Sequence, residues 1–187
     1  YIFDFTLRAA GSTRFGSGYK WGFYPGVSGR WSISDEKFFK PLRGVISMLA
    51  FSPGWGMTGL APGSEGLMYN KYNRSGVSYN GTQVMYPENL KLTEIRWEKT
   101  KSWNIGVDLN LFEDLIRFNL NVYNKKTSDL LNSNVRIPST TGFARLAWAN
   151  VGDMENKGWE LYVSTRDLFK VGKFSMNFRA NISQNLN

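Results

Sequence analysis

The chain has no cysteine and no histidine. The first absence excludes a disulfide framework and thiolate metal sites. The second removes Ser-His-Asp and Cys-His catalysis and most zinc sites. Asp153, Glu155 and Glu160 lie close in sequence, but Asp153 and Glu155 adjoin the expected rim with no histidine or cysteine anywhere in the chain, and no catalytic site is expected of them. The sequence calls for no cofactor, no metal and no catalytic residue. Long apolar runs are also missing: none approaches the ~20 residues that a membrane helix needs, so any crossing of a bilayer must be made by strands. The formal charge is +8, yet lysine and arginine are scattered rather than clustered. They read as lining a lumen or meeting anionic head groups, and not as a nucleic-acid surface.

What the sequence does have is alternation. From Trp103 to Leu111 the apolar residues are Trp103, Ile105, Val107, Leu109 and Leu111, with Asn104, Gly106, Asp108 and Asn110 between them. After Phe112–Leu115 the pattern resumes: Ile116, Phe118, Leu120 and Val122 alternate with Arg117, Asn119, Asn121 and Tyr123. A period of two places side chains on opposite faces of a strand, and two such strands joined by a short acidic turn predict an antiparallel hairpin. Its apolar face runs for about 9–10 residues per strand, the length of a tilted strand that spans a bilayer. The alternative is a hairpin of a soluble sandwich, with that face packed on a second sheet.

The same pattern recurs along the chain. Phe3 and Phe5 alternate with Asp4, Thr6 and Arg8; Trp21, Phe23, Val27 and Trp31 alternate with Tyr24, Ser28 and Arg30. Pro25 is expected at a strand margin or bulge, because it cannot donate to a ladder. Residues 42–52 are apolar but alternate poorly, which leaves their facing open. Trp159, Leu161 and Val163 alternate over 150–165, and Phe174, Met176, Phe178, Ala180 and Ile182 alternate with Ser175, Asn177, Arg179 and Asn181. Short turns are expected at 34–41, 112–115 and 167–172, and longer connections at 11–18, 53–96 and 127–148. If the chain runs up and down, all short turns fall on one side and all long loops on the other. Outer-membrane barrels sort their connections this way, and Greek-key sandwiches have no reason to. The prediction is an all-β chain, a sector of a large antiparallel transmembrane β-barrel, with seven strands visible. An open edge in lipid would leave backbone groups unpaired, so the sector is not a closed barrel alone.

This facing defines the candidate residues. Phe3, Phe5, Trp21, Phe23, Ile105, Val107, Leu109, Phe118, Leu120, Leu161, Val163, Phe174 and Phe178 are expected to face lipid. Asp4, Arg8, Arg30, Asp108, Arg117 and Arg179 are expected to face the lumen, either lining a path or, as the plainer account, pairing across strands or against a plug. Residues 53–96 are read as a long irregular loop with small hairpins near Gly76–Tyr79 and Gln83–Tyr86. There, Trp55, Tyr69, Tyr72 and Tyr79 offer flat faces, and Asn70, Asn73 and Arg74 offer hydrogen bonds, to a ligand or a lid. Packing of the loop on its neighbours competes with that role.

Four segments in order, 11–39, 89–131, 137–143 (IPSTTGF) and 150–161 (NVGDMENKGWEL), resemble the SusC/RagA family of TonB-dependent outer-membrane transporters. The resemblance implies a piece from the C-terminal half of a barrel of about 22 strands. It implies that all of residues 1–187 belong to one barrel domain, with the N-terminal plug lying elsewhere in a longer protein. It further implies import of oligosaccharides or peptides into the periplasm, energy delivered through TonB, and a SusD-like surface lipoprotein as a lid. A soluble β-rich carbohydrate-binding domain is the competing expectation.

Overall fold

A computed structural model describes residues 1–171 and 174–187. Thirteen strands are present among them: β1 (Ile2–Gly11), β2 (Trp21–Ser32), β3 (Ile46–Leu60), β4 (Tyr72–Tyr79), β5 (Thr82–Pro87), β6 (Glu98–Leu111), β7 (Ile116–Ser128), β8 (Leu131–Arg136), β9 (Arg145–Asn150), β10 (Met154–Thr165), β11 (Phe169–Val171), β12 (Phe174–Met176) and β13 (Arg179–Leu186). Seven of them form one antiparallel sheet in the order β1-β2-β3-β6-β7-β10-β13. The other six make three separate hairpins, β4–β5, β8–β9 and β11–β12, each inserted in a connection.

Register carries the alternation across the whole sheet. Phe5 lies opposite Val27, Val27 opposite Trp55, and Trp55 opposite Trp103. Further along, Val107 faces Leu120 and Leu120 faces Leu161, which faces Ile182. Directly opposed residues share a face, so these rows define one continuous apolar face. The intervening rows are polar: Asp108, Asn119, Tyr162 and Asn181 follow one another across four strands.

Two prolines shape the β2–β3 seam. Pro53 sits within β3, and the β2–β3 ladder is interrupted between Ser28/Gly54 and Trp31/Phe51. The β3–β6 ladder runs through Pro53 opposite Ile105 without a break. The absent N–H therefore falls on the β2 side, where no ladder bond is made. Pro25 is likewise inside β2, opposite Leu7, just where pairing with β3 has ended at Gly26.

The structure corrects the reading of residues 53–96. β3 continues to Leu60 instead of stopping at Ser52, so Trp55 belongs to the sheet and not to a loop. The alternation was hidden because Pro53, Gly54, Gly56 and Gly59 replace the usual strand formers. Phe174 is corrected too: it lies in the short hairpin β11–β12, off the main sheet. Part of the expected turn at 167–172 includes Gly172, which lies outside the described residues. The connection at 34–41 is two short 3-10 turns, Ile33–Asp35 and Lys37–Leu42.

Most of the buried residues collect at the loop end of the sheet. Phe15, Tyr24, Leu67, Ile95 and Trp97 form the core cluster, flanked by Leu92, Leu131 and Trp148. Phe15 comes from the first loop, Leu67 and Ile95 from the second, and Leu131 and Trp148 from the third. The rings of Phe15 and Trp97 stand 4.5 Å apart, and Trp97 meets Tyr24 edge-on at 5.9 Å. Trp97 Nε1 donates to the Tyr19 carbonyl at 2.9 Å. The loops are thus packed against one another and onto β2, rather than projecting singly.

Candidate functional site

The polar face of the sheet is the candidate site. Asp4, Arg8, Arg30, Asp108, Arg117 and Arg179 all lie on it, at register positions opposite Ser28, Tyr24, Ile2, Asn119, Ser164 and Ser164. Arg30 spans β3 to reach β6: its Nη1 is 2.9 Å from Asp108 Oδ2 and donates to Ser52 Oγ at 3.2 Å. The β3 residues on this face are small (Ala50, Ser52, Gly54), which leaves room for that reach. Asn119 Nδ2 donates to the other oxygen of Asp108. The result is a transverse ladder over four strands, with Asp108 bridged on both sides. Sequence reasoning missed Ser52, because the facing of 42–52 was left open.

Nearer the turns, Arg117, Ser164 and Arg179 stand in one row on β7, β10 and β13. They line a polar concavity of about 500 Å3 together with Asn110, Arg166 and Asn177. Arg117 has a carboxylate neighbour, Asp114, at 3.5 Å. Nearer the loops, Asn104, Asn121, Tyr123, Lys125, Asn156 and Glu160 line a second polar concavity of about 370 Å3. Amide and hydroxyl groups dominate this lining, which suits neutral hydrogen-bonding ligands.

Ile105, Val107, Leu109, Phe118, Leu120, Leu161 and Val163 occupy the opposite face, as do Phe3, Phe5, Trp21 and Phe23. Phe178 follows the same phase: its carbonyl accepts from the Thr165 N–H, opposite Ile116. None of the described residues covers this face. Phe3 is 74% exposed, Phe5 66% and Trp21 68%, values that a second layer of sheet would not leave. Trp55 sits here as well, opposite Val27 and Trp103, so it is removed from the loop set. Tyr72, Asn73, Arg74 and Tyr79 lie on the exposed hairpin β4–β5, and Tyr69 and Asn70 just before it. That hairpin is tied down through Asn89, whose Oδ1 accepts from the Lys71 N–H at 2.8 Å.

A two-faced antiparallel wall, with short turns at one end and packed loops at the other, matches a known family. The model of the TonB dependent receptor-like β-barrel matches residues 2–186. The chain belongs to that family. Membership places it in the outer membrane, among TonB-dependent receptors rather than enzymes. It is 34% identical to TonB-dependent receptor P39 of Formosa agariphila, with all of this chain aligned to 18% of that one. It is 34% identical to TonB-dependent receptor SusC of Bacteroides thetaiotaomicron, again over its whole length and 19% of the relative. In fold it resembles the RagAB peptide importer, with a TM-score of 0.84 and 22% identity over 98% of this chain and 20% of that one. The chain thus spans about a fifth of the length of the relatives it matches.

Proposed function

We propose that these residues form a sector of the barrel wall of a SusC-like TonB-dependent transporter. It imports oligosaccharides or peptides into the periplasm, beneath a SusD-like lipoprotein lid and with energy delivered through TonB. The observation that supports this best is the division of the sheet into an exposed apolar face and a hydrogen-bonding face within a receptor family. In this reading the apolar face, from Phe3 to Val163, meets lipid. The face of Asp4, Arg8, Arg30, Asp108, Arg117 and Arg179 lines the lumen. The loops stand outside the cell, and the turns stand in the periplasm. All of 1–187 belongs to the barrel domain, and the plug and the TonB-contacting segment belong to the rest of the protein. In the same reading the loop residues Tyr69, Asn70, Tyr72, Asn73, Arg74 and Tyr79 touch ligand or lid. The bare apolar face disfavours a soluble carbohydrate-binding domain, which would need it covered.

Uptake of labelled oligosaccharide and peptide libraries by cells carrying the full-length transporter tests the reading. Uptake that stops when TonB is deleted is the expected result. Undiminished uptake without TonB would count against it.

A further inference from the structure

At the loop end of the apolar face the sheet changes character within two residue rows. Trp55 and Trp103 are opposed on β3 and β6, and Trp159 follows on β10 opposite Val122. Between Trp103 and Trp159 runs a shallow, mainly apolar groove of about 230 Å3, closed off by Val122, Leu186, Lys157 and Gln184. The Trp103 row continues through Asn124 to Lys157 and Leu186. One row further toward the loops, Lys101 lies opposite Lys126, which lies opposite Glu155. Lys101, Lys126 and Lys157 are exposed on this face. Thr100 and Thr127 bond each other at 2.9 Å on the other face, which fixes the phase of the strands here.

None of the three lysines has a carboxylate within 4.0 Å among the described residues. The nearby acid, Glu155, is taken up by Asn124, whose Nδ2 donates to it at 2.8 Å. Three ammonium groups with one carboxylate among them, and no ion pair closed, therefore leave a net positive patch beside an indole-walled groove that opens onto the apolar band. Indoles settle at the head-group level of a bilayer, and clustered lysines beside them attract anionic head groups.

We propose that this groove is a binding site for a phosphate-bearing lipid of the outer leaflet. An acyl chain lies between Trp103 and Trp159, and the phosphate is held by Lys101, Lys126 and Lys157. The proposal rests on the reading that the apolar face meets lipid.

The test uses the full-length transporter reconstituted in vesicles whose acyl chains carry bromine, a contact quencher of indole. Brominated phosphatidic acid and brominated phosphatidylcholine are compared as the difference signal between the parent and a Trp103→Phe/Trp159→Phe variant. Phosphatidic acid should be preferred by at least fivefold, and Lys101→Gln/Lys126→Gln/Lys157→Gln should bring the ratio to about one. Lys125→Gln, on the polar face, should leave the preference intact. Equal quenching by both lipids in the parent, or an unchanged preference in the triple variant, overturns the site while the membrane reading stands. Absence of quenching by either lipid overturns both.

Discussion

Phe112, Glu113 and Asp114 form three consecutive left-handed residues, with φ of 51°, 54° and 69°. No glycine relieves them. Such a conformation costs an L-residue about 1–2 kcal/mol, against the roughly 0.5–1 kcal/mol that glycine loses in chain entropy. Glu113→Gly should therefore stabilise the protein by about 0.5–1 kcal/mol in a denaturant titration. Asp114 is not a free choice, because its carboxylate accepts from Asn110 at 2.6 Å and its N–H donates to Ser47 Oγ at 3.1 Å. Asp108 carries a different cost. Asp108→Ala leaves Arg30 facing a polar wall without its counter-ion and should destabilise by about 1–3 kcal/mol. A double-mutant cycle with Arg30→Ala should recover part of that loss. In the turn below β2, Glu36 accepts from Tyr1 and from Trp31 Nε1. Those two hydrogen bonds, the one from Tyr1 foremost, hold its carboxyl below the usual glutamate range. The folded value is depressed, so the contacts are fully present above the ordinary glutamate pKa and are lost as pH falls through the lower one. The Glu36 carboxyl resonance should titrate below the unfolded value, and more nearly at it in Tyr1→Phe.

Strands show how far a sequence can be read. β6 and β7 follow their alternation residue by residue, because neither contains proline and only Gly106 lacks a side chain. Leu109→Arg on the apolar face should cost about 2–4 kcal/mol near the midplane, while Asn110→Arg should cost little. Equal costs in a folding titration would contradict the facing. β3 was legible only to Ser52. Its second half, PGWGMTGL, carries no clean period, and its pairing is dictated by β6 rather than by its own residues. Tyr24 accounts for some of those glycines. A Cβ at Gly59 would come within 2.0 Å of its hydroxyl, and one at Gly22 within 2.2 Å. The ring occupies that space, and its Oη is buried with no hydrogen-bond partner among the described residues. Tyr24→Phe should therefore be neutral or stabilising, by up to about 1–3 kcal/mol, as judged by the unfolding midpoint. Gly59→Leu should be strongly destabilising. The loop core escaped sequence reading for a plain reason: Phe15, Leu67, Ile95 and Trp148 come from three connections with no shared period.

Across the molecule, the seven strands of the sheet join only their neighbours in chain order, apart from the inserted hairpins. The wall and its connections are thus separate in physical origin: rows of opposed residues hold the first, and a small aromatic cluster holds the second. The hairpin β4–β5 begins and ends at one clasp, where the Glu88 N–H donates to the Lys71 carbonyl at 2.8 Å and Asn89 bonds Lys71 and Tyr69. A segment fastened only at its base can be exchanged as a cassette. If the proposed import holds, grafting the corresponding stretch of a paralogue between Lys71 and Glu88 should re-aim ligand selection while the membrane wall stays as it was.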